Sequence, residues 1–109
     1  MGSLHSEAKA GGYSFVADEA LPSNAVAANL FFTSAATFGG SLPDGLWRIQ
    51  FTVRTATLTI RFGNGTPTAG ANGHDYAAGG PYELVGGRDM LSKIKGIGGA
   101  TGWITYHKV

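Results

Sequence analysis

The sequence predicts an all-β domain, a single antiparallel β-sandwich of jelly-roll-like kind or a small barrel, on three observations. Leu46–Phe62, LWRIQFTVRTATLTIRF, alternates apolar and polar residues and then shifts phase, the period-two signature of half-buried strands. About seven strand-like stretches follow one another at intervals near ten residues, separated by glycine-, proline- and asparagine-rich turn signals, as in sandwiches and small barrels. Glycine accounts for 18 of the 109 residues, and a short helical turn is expected only near residues 89–95. No internal repeat of fixed period interrupts this pattern.

Taken in order, Met1–Gly12 has little apolar periodicity beyond Leu4 and ends in Gly11-Gly12. It reads as an arm, with a few residues of helix at Ser6–Ala10 as the other reading, and residues 13–109 as the sandwich domain. Tyr13–Ala17 is a first strand with Tyr13, Phe15 and Ala17 on one face. Asp18–Asn24 is then a polar turn broken by Pro22. The Phe31-Phe32-Thr33 run favours a strand over Asn29–Ser34. Thr37–Gly45 is a loop whose Pro43-Asp44-Gly45 has the composition of a tight turn.

The alternation of Leu46–Phe62 fits two strands joined at Arg54-Thr55. Val53 then faces Ala56, Phe51 faces Leu58, Ile49 faces Ile60 and Trp47 faces Phe62, with Arg48 opposite Arg61 on the polar side. Arg-Thr lacks the Gly or Asn of a tight primed turn, so a bulge within one bent strand stands as the alternative. Beyond it, Gly63–Gly80 is a long glycine-rich loop, the best candidate for a contact loop. Pro81–Val85 is a short strand, Asp89 sits where a helix N-cap would, before Met90, Leu91 and Ile94, and Gly102–Val109 closes the chain as a strand. Its Trp103 and Thr105 face one way, Ile104 and Tyr106 the other.

Composition narrows the function classes. Eight Lys and Arg against seven Asp and Glu give a net charge of +1, spread without runs, so nothing calls for nucleic acid or an anionic membrane as partner. Charged residues are 14% of the chain against a usual quarter or so, which fits a surface partly covered by another chain. Cysteine is absent, which leaves the redox compartment open. With no basic-then-apolar leader and no apolar run near the roughly 20 residues of a membrane span, the chain reads as soluble and not exported by the usual signal.

No catalytic signature emerges, and the expectation is a non-enzymatic protein without cofactor or metal. His74-Asp75 is the most tempting metal pair, yet no spacing supplies its partners, and both fit a glycine-rich turn. Nucleophilic catalysis lacks a Cys and a G-x-S-x-G elbow. Asp75, Glu83 and Asp89 would have to converge to form a carboxylate pair. Gly96–Gly102 lacks the Lys-Ser/Thr of a phosphate loop, and close backbone packing explains its glycines better. Asn64-Gly65-Thr66 matches a glycosylation acceptor, and equally a plain turn. Arg48 opposite Arg61 asks for an anion or acid between them, Glu83 of the same chain among the options. Trp103, with Trp47 and Tyr106, offers an aromatic platform for a glycan, Trp47 being better placed in the core.

The last third, from Pro81-Tyr82-Glu83-Leu84 through Gly87-Arg88-Asp89-Met90-Leu91 to Gly102-Trp103-Ile104-Thr105-Tyr106, resembles small virion proteins of tailed bacteriophages. In those proteins a short strand leads into a helical turn and a terminal aromatic-bearing strand closes a β-sandwich. The resemblance carries no residue roles. It implies a capsid decoration (cement) protein, or a tail or fibre component, acting as repeated copies in the virion; without it, the missing export signal implies the cytoplasm. The expected partners are the chain itself, a homo-oligomer with a trimer favoured, and a larger capsid or tail assembly. The partner-binding candidates are Leu4, His5, Tyr13, Arg48, Arg61, Asn64, Asn72, His74, Tyr76 and Trp103. A carbohydrate-binding or lectin-like domain is the alternative.

Overall fold

The computed structural model describes residues 12–33 and 45–109. In chain order these form β1 (Ser14–Ala20), β2 (Ala28–Asn29), β3 (Leu46–Thr55), β4 (Leu58–Arg61), β5 (His74–Tyr76), β6 (Gly79–Gly87), α1 (Arg88–Ser92), β7 (Lys95–Ile97) and β8 (Thr101–Lys108). Two four-stranded antiparallel sheets result, ordered β1-β8-β3-β6 and β2-β7-β4-β5. β1 pairs with β8, β2 with β7, β3 with β6 and β4 with β5. This nesting, first strand with last and inward from both ends, is a two-stranded ribbon wrapped across two sheets, the jelly-roll connectivity. The all-β sandwich expected from the sequence is the fold.

The core lies between the sheets. Trp47, Ile49, Phe51 and Val53 enter it from β3, Leu58 and Ile60 from β4, and Ile104 and Tyr106 from β8, with Leu30, Phe31, Leu91 and Ile94 closing it. Each such large side chain contributes about 1.5–3 kcal/mol through burial. Phe31 meets Phe51 with ring centres 5.9 Å apart, and Trp47 stands edge-on to Tyr106 at 6.5 Å.

The hairpin expected within Leu46–Phe62 does not form, because β3 and β4 belong to different sheets. β3 already has β8 and β6 on its two edges, and β4 has β7 and β5, so neither keeps an edge for the other. The chain changes sheet through Ala56, which is exposed and takes a positive φ of 63°. The bulge alternative is realised in part, since the register of β3 with β8 shifts between Val53 and Thr55. The apolar phase was legible, but the partners differ: Ile49 stands between Tyr106 and Leu84, and Phe51 between Ile104 and Tyr82. Arg48 and Arg61 are therefore not opposite each other.

Other boundaries move for reasons of pairing. β1 runs on through Asp18 and Glu19 to Ala20 because β8 pairs with it as far as Trp103. A register shift between Phe15 and Ala17 sets Phe15 opposite His107 and Ala17 opposite Tyr106, so they do not share a face. The strand expected at Asn29–Ser34 shrinks to β2; Phe32 leaves the extended region with φ 60°, its backbone N–H donating to the Tyr106 hydroxyl at 3.1 Å. Most of the Thr37–Gly45 loop and the end of that strand lie outside the described residues. β6 is longer than Pro81–Val85, since it pairs with β3 from Gly79 to Gly87. α1 has Gly87 at its N-cap without a side-chain bond, and Asp89 sits in its first turn instead. The Gly63–Gly80 stretch contains β5 and the start of β6.

Candidate functional site

Successive residues of a strand face opposite sides of a sheet, so the outer face of β1-β8-β3-β6 follows from the register. One row across it is Phe15, His107, Arg48 and Val85; the next is Asp18, Thr105, Gln50 and Glu83; the third is Ala20, Trp103 and Thr52. Large apolar side chains on this face stay open to solvent: Phe15 is 60% exposed, Val85 49%, Leu46 45% and Trp103 40%. Val109, at the end of the same face, donates its N–H to the Leu46 carbonyl at 3.1 Å and is exposed too. These apolar side chains stand around a polar middle, with Phe15 on the β1 edge and Val85 on the β6 edge.

The middle of the face is organised by charge. The Arg48 guanidinium lies 5.2 Å from the centre of the Tyr13 ring, and its Nε is 3.4 Å from Glu83 Oε2. The acid expected beside Arg48 is thus Glu83 of the same chain. His107 is buried on this outer side beneath Phe15, whose ring meets it edge-on at 6.2 Å. Tyr13, Arg48 and Trp103 are the candidates that fall on this face. The sequence pattern missed Phe15, Leu46, Val85 and Val109 as contact residues, although Leu46 and Val85 stand out of phase with the buried Trp47 and the half-buried Leu84.

The outer face of β2-β7-β4-β5 is covered only in part, over Thr59. The segment 63–73 folds over it: Thr59, almost fully buried, donates from Oγ1 to Asp75 Oδ1 at 2.7 Å and accepts the Gly70 N–H at 3.2 Å. Pro67 is buried, and the Thr68 N–H donates to the Asn72 carbonyl at 3.1 Å. The candidate contact loop is therefore anchored to its own domain at Gly70 and Pro67, while most of its residues stay exposed. Gly63 and Asn64 both have positive φ, 66° and 65°, with the Gly65 N–H donating to the Phe62 carbonyl at 3.1 Å; this is the turn the Asn-Gly pair announced, shifted back by one residue.

The remaining candidates divide between these regions. Arg61 and Asn64 stand at the end of β4, and Asn72 in the covering segment. His74 lies at the edge with its ring 5.8 Å from Phe62. Tyr76 packs inward against Phe51 at 5.2 Å and Tyr82 at 4.8 Å, and burial, then the neighbouring Tyr82, raise its pKa. Leu4 and His5 lie outside the described residues. Asp75, Glu83 and Asp89 do not converge, since Asp75 and Glu83 belong to opposite sheets and Asp89 pairs with Arg88 on α1 at 3.1 Å. Among the described residues no three His, Asp or Glu side chains gather around a point that a metal ion would fill.

One buried polar group ties the sandwich together. Tyr106, fully buried, donates its hydroxyl to Glu19 Oε2 at 2.5 Å while accepting the Phe32 N–H. Burial and the bond to Glu19 raise its pKa far above the usual tyrosine range. Comparison with known proteins gives no relative: no family model, no curated protein and no solved structure matches this chain.

Proposed function

We propose that this chain is a non-enzymatic structural protein that associates through the outer face of β1-β8-β3-β6, first with itself, as a trimer, and then as repeated copies on a larger assembly. The assembly that fits the resemblance of its last third is the virion of a tailed bacteriophage, with the chain as a capsid decoration protein. The observation that carries this reading is the set Phe15, Leu46, Val85 and Trp103, all exposed on one face of a sandwich whose other outer face its own chain caps over Thr59. The mechanism is adhesive: burying these side chains between subunits stabilises the particle, and Arg48, Glu83 and Asp18 around them set the register. Sedimentation velocity on Phe15→Asp and Val85→Asp tests it. Both variants should run as folded monomers, with unchanged circular dichroism, where the parent associates; association left intact in both sinks the proposal.

A second reading rests on Trp103. Its half-open ring sits next to Thr52 in register, with Thr105 and Asp18 one row away, the aromatic plane with polar neighbours that a sugar ring stacks upon. It predicts glycan binding by a monomer, lost in Trp103→Ala while Phe15→Asp binds normally.

A further inference from the structure

The sheet opposite to the proposed contact face carries a cationic site. On β4, Arg61 is directly opposite Lys95 of β7, and Lys95 in turn is opposite Asn29 of β2. Residues so paired have Cβ atoms about 5 Å apart, and like charges in that position destabilise a sheet. Lys93 is close in the chain: it caps the C-terminus of α1 two residues before Lys95, and its carbonyl accepts the Asn64 N–H at 3.1 Å. Three of the eight Lys and Arg in a chain of net charge +1 are therefore gathered around one turn.

Neither the Arg61 nor the Lys95 side chain makes a hydrogen bond or ion pair with a described residue. Asp75, the acid carried by this sheet, accepts from the Thr59 hydroxyl two residues along the strand from Arg61. Arg61 is nonetheless held in place. A Cβ at Gly65 would meet its Nε at 2.9 Å and its Cζ at 3.0 Å, and a Cβ at Gly73 would meet its Cγ at 3.1 Å. The arginine is threaded between two glycines, stem against one and head against the other, so little rotamer freedom remains to be lost when a ligand arrives.

We infer that Arg61, Lys95 and Lys93, with the Asn29 amide beside them, bind a tetrahedral oxyanion, a phosphate or sulfate group. Two cations held side by side match a charge near −2 better than the single charge of a carboxylate. The fork of Arg61 supplies paired N–H donors, and Lys95 a point charge. The site goes beyond the assembly reading and lies on the other sheet, so either fails without the other.

The test uses the full chain and inorganic phosphate against chloride at matched ionic strength. Backbone amide shifts should saturate in the millimolar range and centre on Arg61, Asn64, Gly65 and Lys95. At a twentyfold excess over the dissociation constant the folded-to-unfolded ratio should rise about 20-fold, seen as a higher melting midpoint. Lys95→Gln should weaken phosphate binding at least tenfold while melting higher than the parent in low-salt chloride, because the like-charge pair is gone. Arg61→Gln should lose the response as well. A sulfated polysaccharide then separates the sources: tighter binding than free phosphate assigns the group to a polymer, equal binding to the free ion. Equal midpoints in phosphate and chloride, or an unchanged phosphate response in Lys95→Gln, overturns the inference.

Discussion

Tyr106→Phe removes one oxygen atom from the centre of the sandwich and leaves the ring where it is. In the parent, that hydroxyl donates to the Glu19 carboxylate at 2.5 Å and accepts the Phe32 N–H at 3.1 Å, joining β1, β8 and the segment after β2. A hydrogen bond to a charged group contributes about 1.5–3 kcal/mol, and a buried amide deprived of its acceptor costs about 1–3 kcal/mol. With Glu19 half-buried and able to regain some water, the sum should be about 2–4 kcal/mol, a large part of the 5–15 kcal/mol typical of a domain. Urea unfolding followed by fluorescence measures it, provided the slope with denaturant stays that of the parent. Tyr82→Phe is the control, since its hydroxyl reaches only the Ala77 carbonyl, at 2.8 Å in an exposed setting, and it should lose under about 1 kcal/mol. A loss below about 0.5 kcal/mol for Tyr106→Phe, or equal losses for the two, refutes the view that this hydroxyl is a structural tie.

The raised pKa of Tyr106 sets the sign of a pH effect: its stabilisation is whole below the unfolded tyrosine value of about 10 and is lost as pH climbs above it, by up to about 1.4 kcal/mol per unit. Tyr106→Phe should flatten that alkaline limb. Gly102→Ala should destabilise by more than about 2 kcal/mol in urea melts, because its Cβ would overlap the Thr52 carbonyl oxygen of the neighbouring strand; a loss under about 1 kcal/mol contradicts that close approach. Thr59→Val strips the acceptor from the Gly70 N–H and the donor from Asp75, so hydrogen exchange at Gly70 should speed up at least tenfold while the β3 amides stay protected.

The apolar phase of Leu46–Phe62 identified six of the core residues, Trp47 through Ile60, before any pairing was known. What it did not carry was which strands pair. An inward-facing Val53 followed by an inward-facing Leu58 is equally compatible with a hairpin and with a corner between sheets, because both bring the apolar faces together. The deciding fact is non-local: β8 arrives from the far end of the chain to occupy the edge of β3. Likewise Asp18 and Glu19 read as turn residues by composition, yet Glu19 is drawn inward by the Tyr106 hydroxyl, 87 residues away. The glycines of Gly96–Gly102 were read as backbone packing, and Gly102 against the Thr52 backbone and Gly98 against the Thr57 backbone bear that out, whereas Gly96 meets the Leu30 side chain and Gly99 meets nothing.

The surface was less legible than the core. Arg48 was singled out for a like-charge conflict with Arg61, and the conflict exists, but between Arg61 and Lys95. Arg48 has Glu83 and the Tyr13 ring instead. Trp103 was picked out as a platform residue on a strand apolar on both sides, without the pattern saying which side is open; Phe15 was not, because the register shift at Val16 that turns it outward leaves no trace in the residue pattern. Gly63–Gly80 was read as a contact loop, and most of it is exposed; what the pattern did not show is the Thr59 hydroxyl that pins it at Gly70, in a strand where an outward threonine normally meets water.

The claim on which the functional account stands is that the outer face of β1-β8-β3-β6 is covered by another copy of this chain. Multi-angle light scattering of the purified protein over a hundredfold range of concentration measures this directly. The account predicts a mass three times that of the 11.2 kDa chain, giving way to monomer only on dilution, and a monomer at all concentrations contradicts it.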